Sequence, residues 1–339
     1  MLRSLILLVL LFTSVDSALA QQAAESAAPK LLLAFSSVRE RRAPPYPKVY
    51  FYEHDGVSAG QLLGSIDSIT NGTNFTRADM HPSLSRDGRF CAFSAQYGVT
   101  DGGRIEIWDR TEKKLLPFPA INDFPNVHQM TPSISGDASL VTFSAYARPG
   151  GSPRWGLFLY DLTAKKFLDL PKPVNPIVDE RLPAISGDGR FVAFASNARG
   201  GVGLTDIYLL DLKDQTLDSL PEMNSKNMDL QPSLSSDGRL LAFSSDRPGG
   251  AGGRDIFLFD RLEKTFLPLA GLNSVVPEQS PSLSGDGRYL AFVSERLDGA
   301  GERDVYLYDR EKQSLVPTPN LNSKEDDYDA CVVVLPTAK

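Results

Sequence analysis

Two cysteines, three histidines and two tryptophans among 339 residues leave several chemistries without material. Two Cys cannot build a disulfide scaffold. Cys91 and Cys331 are read as small apolar strand residues, with pairing as the alternative. The histidines, His54, His81 and His128, do not recur in register, so no metal site is expected. The sequence holds no phosphate loop, no dinucleotide fingerprint and no His-Glu-x-x-His motif. No cofactor is therefore expected. The Gly-x-Ser-x-Gly elbow of hydrolases is also missing, which argues against a prolyl-oligopeptidase architecture and leaves no catalytic residue to assign. A basic excess is lacking too: 35 Lys and Arg stand against 42 Asp and Glu, a net charge of −7. Nucleic-acid binders carry a clustered positive surplus, so no nucleic-acid partner is expected. No apolar run approaches the roughly 20 residues of a spanning helix, so no transmembrane span is expected.

What is abundant is chain-breaking residues, 27 Gly and 24 Pro. Long helices do not survive that density, because Pro lacks a donor and Gly costs backbone entropy. The first twenty residues form a separate unit. Arg3 gives a positive start, Leu5 to Phe12 is unbroken and apolar, and Ala18-Leu19-Ala20 is a small-x-small cleavage site. Residues 1–20 thus read as a secretory signal peptide cleaved after Ala20, and the chain as periplasmic or secreted. Residues 21–30 form a short lead, and 31–339 a single domain.

That domain is one unit written six times. The string Pro232-Ser-Leu-Ser-Ser-Asp-Gly-Arg-Leu-Leu-Ala-Phe-Ser-Ser245 recurs from Pro82, Pro132, Pro183 and Pro281. The turn aspartates Asp87, Asp137, Asp188, Asp237 and Asp286 are spaced by 50, 51, 49 and 49 residues. Phe35 supplies a sixth copy of the Ala-Phe-Ser element. Each unit reads as four strands. Pro-Ser-Leu-Ser is the first, Leu240 to Ser244 the second, Asp255 to Asp260 the third and Thr265 to Leu269 the fourth. The third strand is apolar on both faces, so it must be covered on both. Blades packed around an axis do this, and the period fits a β-propeller. Small residues on the first strand and Phe, Tyr and Trp on the third match sheets that converge on that axis. The chain begins at a second strand, Leu31 to Ser37, and finishes on a lone strand, Ala330 to Leu335. The tail should therefore supply the missing inner strand of blade one. The expected fold is all-β, a six-bladed β-propeller of four-stranded blades, closed by the C-terminal strand.

The string Pro-Ser-Leu-Ser-x-Asp-Gly-Arg-x-x-Ala-Phe-Ser-Ser-x-Arg, a Gly-rich loop and Asp-Ile-Tyr-Leu-Tyr-Asp together resemble the WD-repeat-like unit of the TolB propeller family. The resemblance covers residues 31–335. It implies a six-bladed periplasmic propeller that serves protein interaction. TolB itself carries an α/β domain before its propeller, where this sequence has only residues 21–30. The resemblance thus implies fold and compartment, rather than binding to the Pal lipoprotein or the Tol complex.

Two constellations are candidate sites. Eight residues before each first-strand Pro, or its equivalent, lies an Asn: Asn74, Asn175, Asn224, Asn273 and Asn322. Three residues before it lies an acid: Asp79, Glu180, Asp229, Glu278 and Asp327, with Gln129 in blade three. The functional reading is a negative rim at one mouth of the channel, for a cation, a peptide amine or a basic segment. The structural reading is that these residues bond their own turns. The second constellation lies where the repeat breaks, in blades two and three: Tyr97, His128, Tyr146, Arg154 and Trp155. Aromatics beside Arg suit protein or sugar recognition; ordinary blade packing is the alternative. Arg247 with Asp255, and Arg296 with Asp304, read as ion pairs across Gly-rich loops. The first functional reading is an exported, monomeric, non-enzymatic platform for an envelope or extracellular protein, peptide or glycan. The alternative is a carbohydrate-active glycosidase or lyase using two rim carboxylates.

Overall fold

The computed structural model describes residues 29–40, 46–66, 77–97, 102–117, 128–146, 154–172, 174, 178–198 and 200–337. The leader, Asn74 and Asn175 lie outside the described residues. Among the described residues, twenty-four strands form six separate four-stranded antiparallel sheets, the blades of a β-propeller. No helix among the described residues is long and apolar enough to cross a membrane. Blade five is representative. Its inner strand is Asp229–Leu234, followed outward by Leu240–Ser245, Asp255–Asp260 and Thr265–Leu267. Blade one is composite: Asp327–Val334 pairs with Leu31–Ser37, placing Leu31 opposite Val334 and Ser37 opposite Asp327. The closing strand therefore starts three residues earlier than the sequence repeat suggested.

The core lies between blades. One cluster joins Leu32, Ala34 and Phe51 of blade one to Cys91, Phe93 and Trp108 of blade two. Cys91 and Cys331 are free thiols packed in that cluster, and burial pushes both thiol pKa values up. The six Phe residues of the Ala-Phe-Ser element are at most 2% exposed. Five stack on third-strand rings: Phe35 on Tyr50, Phe143 on Phe158, Phe194 on Tyr208, Phe243 on Phe257 and Phe292 on Tyr306. Each such burial is worth about 1.5–3 kcal/mol.

The inner strands explain the Pro-Ser-Leu-Ser spelling. An innermost strand has a free edge, where Pro is tolerated because no partner needs its missing N–H. The next residue clips neighbouring blades together. The Oγ of Ser83, Ser133, Ser233 and Ser282 accepts the N–H of Ile134, Ile185, Leu283 and Val332, respectively, at 2.9–3.1 Å. Cys331 Sγ takes the same place toward the Leu84 N–H. Ala184 breaks the series. The residue before each Pro, or before Ala330, carries a β-bulge with positive φ: His81, Thr131, Leu182, Gln231, Ser280 and Asp329, all between 51° and 55°. Positive φ in a non-glycine residue costs about 1–3 kcal/mol, and each bulge bends the strand where it nears the axis.

The Ser-x-Asp-Gly-Arg turn is self-contained. In blade five the Ser235 hydroxyl and the Arg239 N–H both donate to Asp237 Oδ1, and Gly238 takes φ +68°. Arg239 reaches on to Asp260 at the end of the third strand, 2.7 Å away. Arg89–Asp109, Arg190–Asp211 and Arg288–Asp309 repeat this pair. Blade three has Ser139 in place of the arginine.

Candidate binding surface and axial cavity

The acidic set opens the inner strands, and burial decides its role. Asp79, Glu180, Asp229, Glu278 and Asp327 are at most 2% exposed. A solvent-facing rim is therefore not where these side chains sit. A buried carboxylate must be paired or protonated, and an arginine supplies the pair. Arg247 meets Asp229 at 2.7 Å, Arg39 meets Asp327 at 2.8 Å, and Arg296 meets Glu278 at 3.2 Å. Each arginine sits just past the end of the second strand, and Arg247 also stacks over Phe243, Phe257 and Phe266. The other carboxylate oxygen takes the N–H four residues back: Ser225 for Asp229, Ser274 for Glu278 and Ser323 for Asp327. The pairs expected across the Gly-rich loops are thus replaced. Asp255 and Asp304 instead accept the N–H groups of Gly252 and Gly301, which shapes the loop itself.

Asp79 differs from the other acids. Arg77 Nε lies 2.5 Å away and Lys48 Nζ 3.6 Å. Burial nonetheless raises the Asp79 carboxyl above its ordinary range, with Arg77 and Lys48 pulling the other way.

The described members of the Asn set behave as pieces of strand. Asn224 accepts the Ile207 N–H and donates to the Ile207 carbonyl. Asn273 does the same to Ile256, and Asn322 to Val305. An Asn side chain mimics a peptide group, so it completes a ladder where the backbone has turned away.

The second constellation is partly assembled. His128, Tyr146 and Trp155 stand in one row across three adjacent strands of blade three, as register partners. The Tyr146 and Trp155 ring centroids are 5.5 Å apart. Arg154 is exposed beside Trp155, and Tyr146 is 37% exposed. Arg181, from the inner strand of blade four, lies over the Trp155 ring at 5.2 Å and pairs with Asp179 at 3.1 Å. Asp179 also accepts the Trp155 N–H. Sequence reasoning missed Arg181, although its position in the other copies holds Met80, Met130, Leu230, Gln279 and Tyr328. Tyr97 belongs to blade two and is committed there. Its hydroxyl donates to Glu106 at 2.5 Å and accepts from Arg77 at 3.1 Å. Burial, together with the hydrogen bond to Glu106, pushes its pKa up to about 12.

A cavity of about 530 Å³ lies on the axis, with walls from all six blades. The Pro-Ser-Leu residues line it. At one end the turns touch: Arg86 N–H donates to Gly136 O, Gly136 N–H to Gly187 O, and Ser236 N–H to Gly285 O. Among the described residues, no group of three or more His, Cys, Asp or Glu could hold a metal ion.

No known protein family and no curated protein matches the sequence. Solved structures do match. TolB from Acinetobacter baumannii aligns with a TM-score of 0.61 and 15% identity, over 89% of this chain and 66% of that one. A putative TolB from Agrobacterium tumefaciens aligns with a TM-score of 0.53 and 16% identity, over 91% and 99%. Hydrazine synthase from Kuenenia stuttgartiensis aligns with a TM-score of 0.58 and 12% identity, over 90% and 47%. At such identities the likeness concerns fold alone. The chain is a six-bladed β-propeller, and its architecture is similar to that of the TolB proteins.

Proposed function

We propose that the protein is an exported binding platform without enzymatic activity, engaging a protein or peptide partner at blade three. The observation that carries this reading is the pair of exposed Tyr146 and half-buried Trp155, flanked by Arg154, His128 and Arg181. Aromatic and arginine side chains dominate the energetics of protein contacts. This cationic, aromatic patch sits on a chain of net charge −7, so it favours an acidic partner segment. The buried acids and the Asn residues are spent on the joints between blades, which leaves no carboxylate pair for glycoside hydrolysis among the described members of that set. Export rests on the leader-like first twenty residues and on the likeness to TolB.

The test is capture of partners from envelope extract by the protein secreted from cells, carrying either the native surface or Trp155→Ala with Arg181→Glu. The double variant should lose its partner by at least tenfold while melting as the parent does. Equal capture by both proteins refutes the assignment. Mass spectrometry of the secreted protein should find Gln21 at the N-terminus; an intact leader refutes export by cleavage.

A further inference from the structure

A different side chain marks the axial cavity, on ground independent of the blade-three patch. Arg86 occupies the second position of the Ser-x-Asp-Gly turn in blade two. Its counterparts are Gly136, Gly187, Ser236 and Gly285. They are small for a steric reason. A Cβ on Gly136 would lie 2.7 Å from the Gly187 carbonyl oxygen, and one on Gly187 or Gly285 would lie 2.4 Å from Ser236 Oγ. Blade two borders blade one, whose inner strand has no such turn and passes instead into Leu335 and Pro336. Arg86 stands out among these positions as the one long, charged side chain. Arg86 is exposed, lines the cavity, and forms no ion pair with a carboxylate among the described residues.

Nearby acids are already engaged. Asp87 accepts from the Ser85 hydroxyl and the Arg89 N–H. Asp286, the acid in the cavity wall, accepts from the Ser284 hydroxyl and the Arg288 N–H. Most of the remaining wall is Pro, Leu, Ile, Val, Ala and Gly, and the hydroxyls of Ser83, Ser133, Ser233 and Ser282 in it are already used between blades. A hollow with apolar walls and a few polar or charged groups is the usual form of a small-molecule site, and about 530 Å³ falls within its ordinary range.

We infer that the axial cavity binds a small organic anion, its carboxylate or phosphate on Arg86 and its carbon skeleton against the Pro and Leu walls. A guanidinium offers two parallel donors, which matches both anions.

The experiment titrates the whole secreted protein with hexanoate, hexyl phosphate and hexylamine, followed by calorimetry. At least one anion should bind saturably, and hexylamine should not. Arg86→Gln should weaken that anion tenfold or more, whereas Arg86→Lys should lose less. Both variants should melt as the parent does, since the side chain packs against nothing that the fold requires. The tighter of the two anions identifies the source chemistry, and either order supports the site. Absence of saturable anion binding, binding of hexylamine with equal strength, or unchanged affinity in Arg86→Gln overturns it. Trp155→Ala leaves this binding intact if the two sites are independent, so failure of one proposal is separable from failure of the other.

Discussion

Blades five and six keep the repeat, whereas blade three departs from it, and their joints differ accordingly. In blade five the inner strand opens on Asp229, neutralised by Arg247, and Asn224 in the segment before it bonds Ile207 on the third strand of blade four. In blade six Glu278, Arg296 and Asn273 do the same work. In blade three the corresponding acid is Gln129, the turn arginine is Ser139, and the row above carries Tyr146 and Trp155 where blade five carries Asp246 and Arg254. Where the repeat is kept, polar side chains face one another and are consumed by the fold. Where it breaks, large side chains reach solvent. Repetition here marks what every blade must do to hold its neighbour, and departure marks what is available to something else.

The sharpest way to break the comparison is to remove the part on which all blades depend. Deleting residues 330–339 removes most of the strand that closes blade one and exposes the apolar Leu31–Ser37 edge. We expect loss of the cooperative thermal transition, followed by circular dichroism; an unchanged melt would show that closure is dispensable. Next in size is Asp229→Ala, which strands a mostly buried guanidinium. Removing one partner of a buried pair typically costs about 3–5 kcal/mol. Gln129→Ala, at the uncharged blade-three counterpart, should cost clearly less in the same urea titration. Equal losses would mean that the arginine pairing contributes little.

A smaller effect, of opposite sign, comes from Ala184→Ser. It supplies the missing hydroxyl opposite the Leu234 N–H and should stabilise by about 1 kcal/mol, the worth of one hydrogen bond. A melting temperature that stays level or falls would show the clip geometry to be unfavourable there. Smallest is Arg239→Ser, which gives blade five the turn of blade three. The hydrogen bond from Arg239 holds the Asp260 carboxyl below its ordinary range. A lowered carboxyl pKa stabilises the fold above the unfolded value and ceases to do so as pH falls through the folded one. The variant should therefore melt slightly below the parent at pH 7, with the gap closing under acid. A gap that widens on acidification contradicts this sign.

Much of the fold was legible because a six-fold repeat averages out local ambiguity. Asp255–Asp260 falls where its apolar run and the repeat placed it, and the lone C-terminal strand pairs with the first blade as the alignment required. The joints were legible as positions but not as partnerships. Sequence spacing suggested Asp255 for Arg247, eight residues away, yet the guanidinium turns back to Asp229, eighteen residues away, because the antiparallel pairing of the inner and second strands brings it there. The serine clips were equally hidden. They act across about fifty residues, and a small residue near an axis has a steric explanation that looks sufficient. Tyr146 and Trp155 were found because they interrupt a pattern. Arg86 and Arg181 also interrupt one, but an arginine on a surface loop or strand excites no suspicion until its neighbours are known.

The composite first blade has a consequence in time. Leu31–Ser37 is translated long before its inner partner, Asp327–Val334. Until that partner emerges, this apolar strand waits with one edge empty while five complete blades form behind it. An unpaired apolar edge is the usual starting point for association between chains. Arrival of Asp327–Val334 at the Leu31–Ser37 edge, rather than formation of any other blade, therefore sets the moment at which the molecule becomes safe from its own copies.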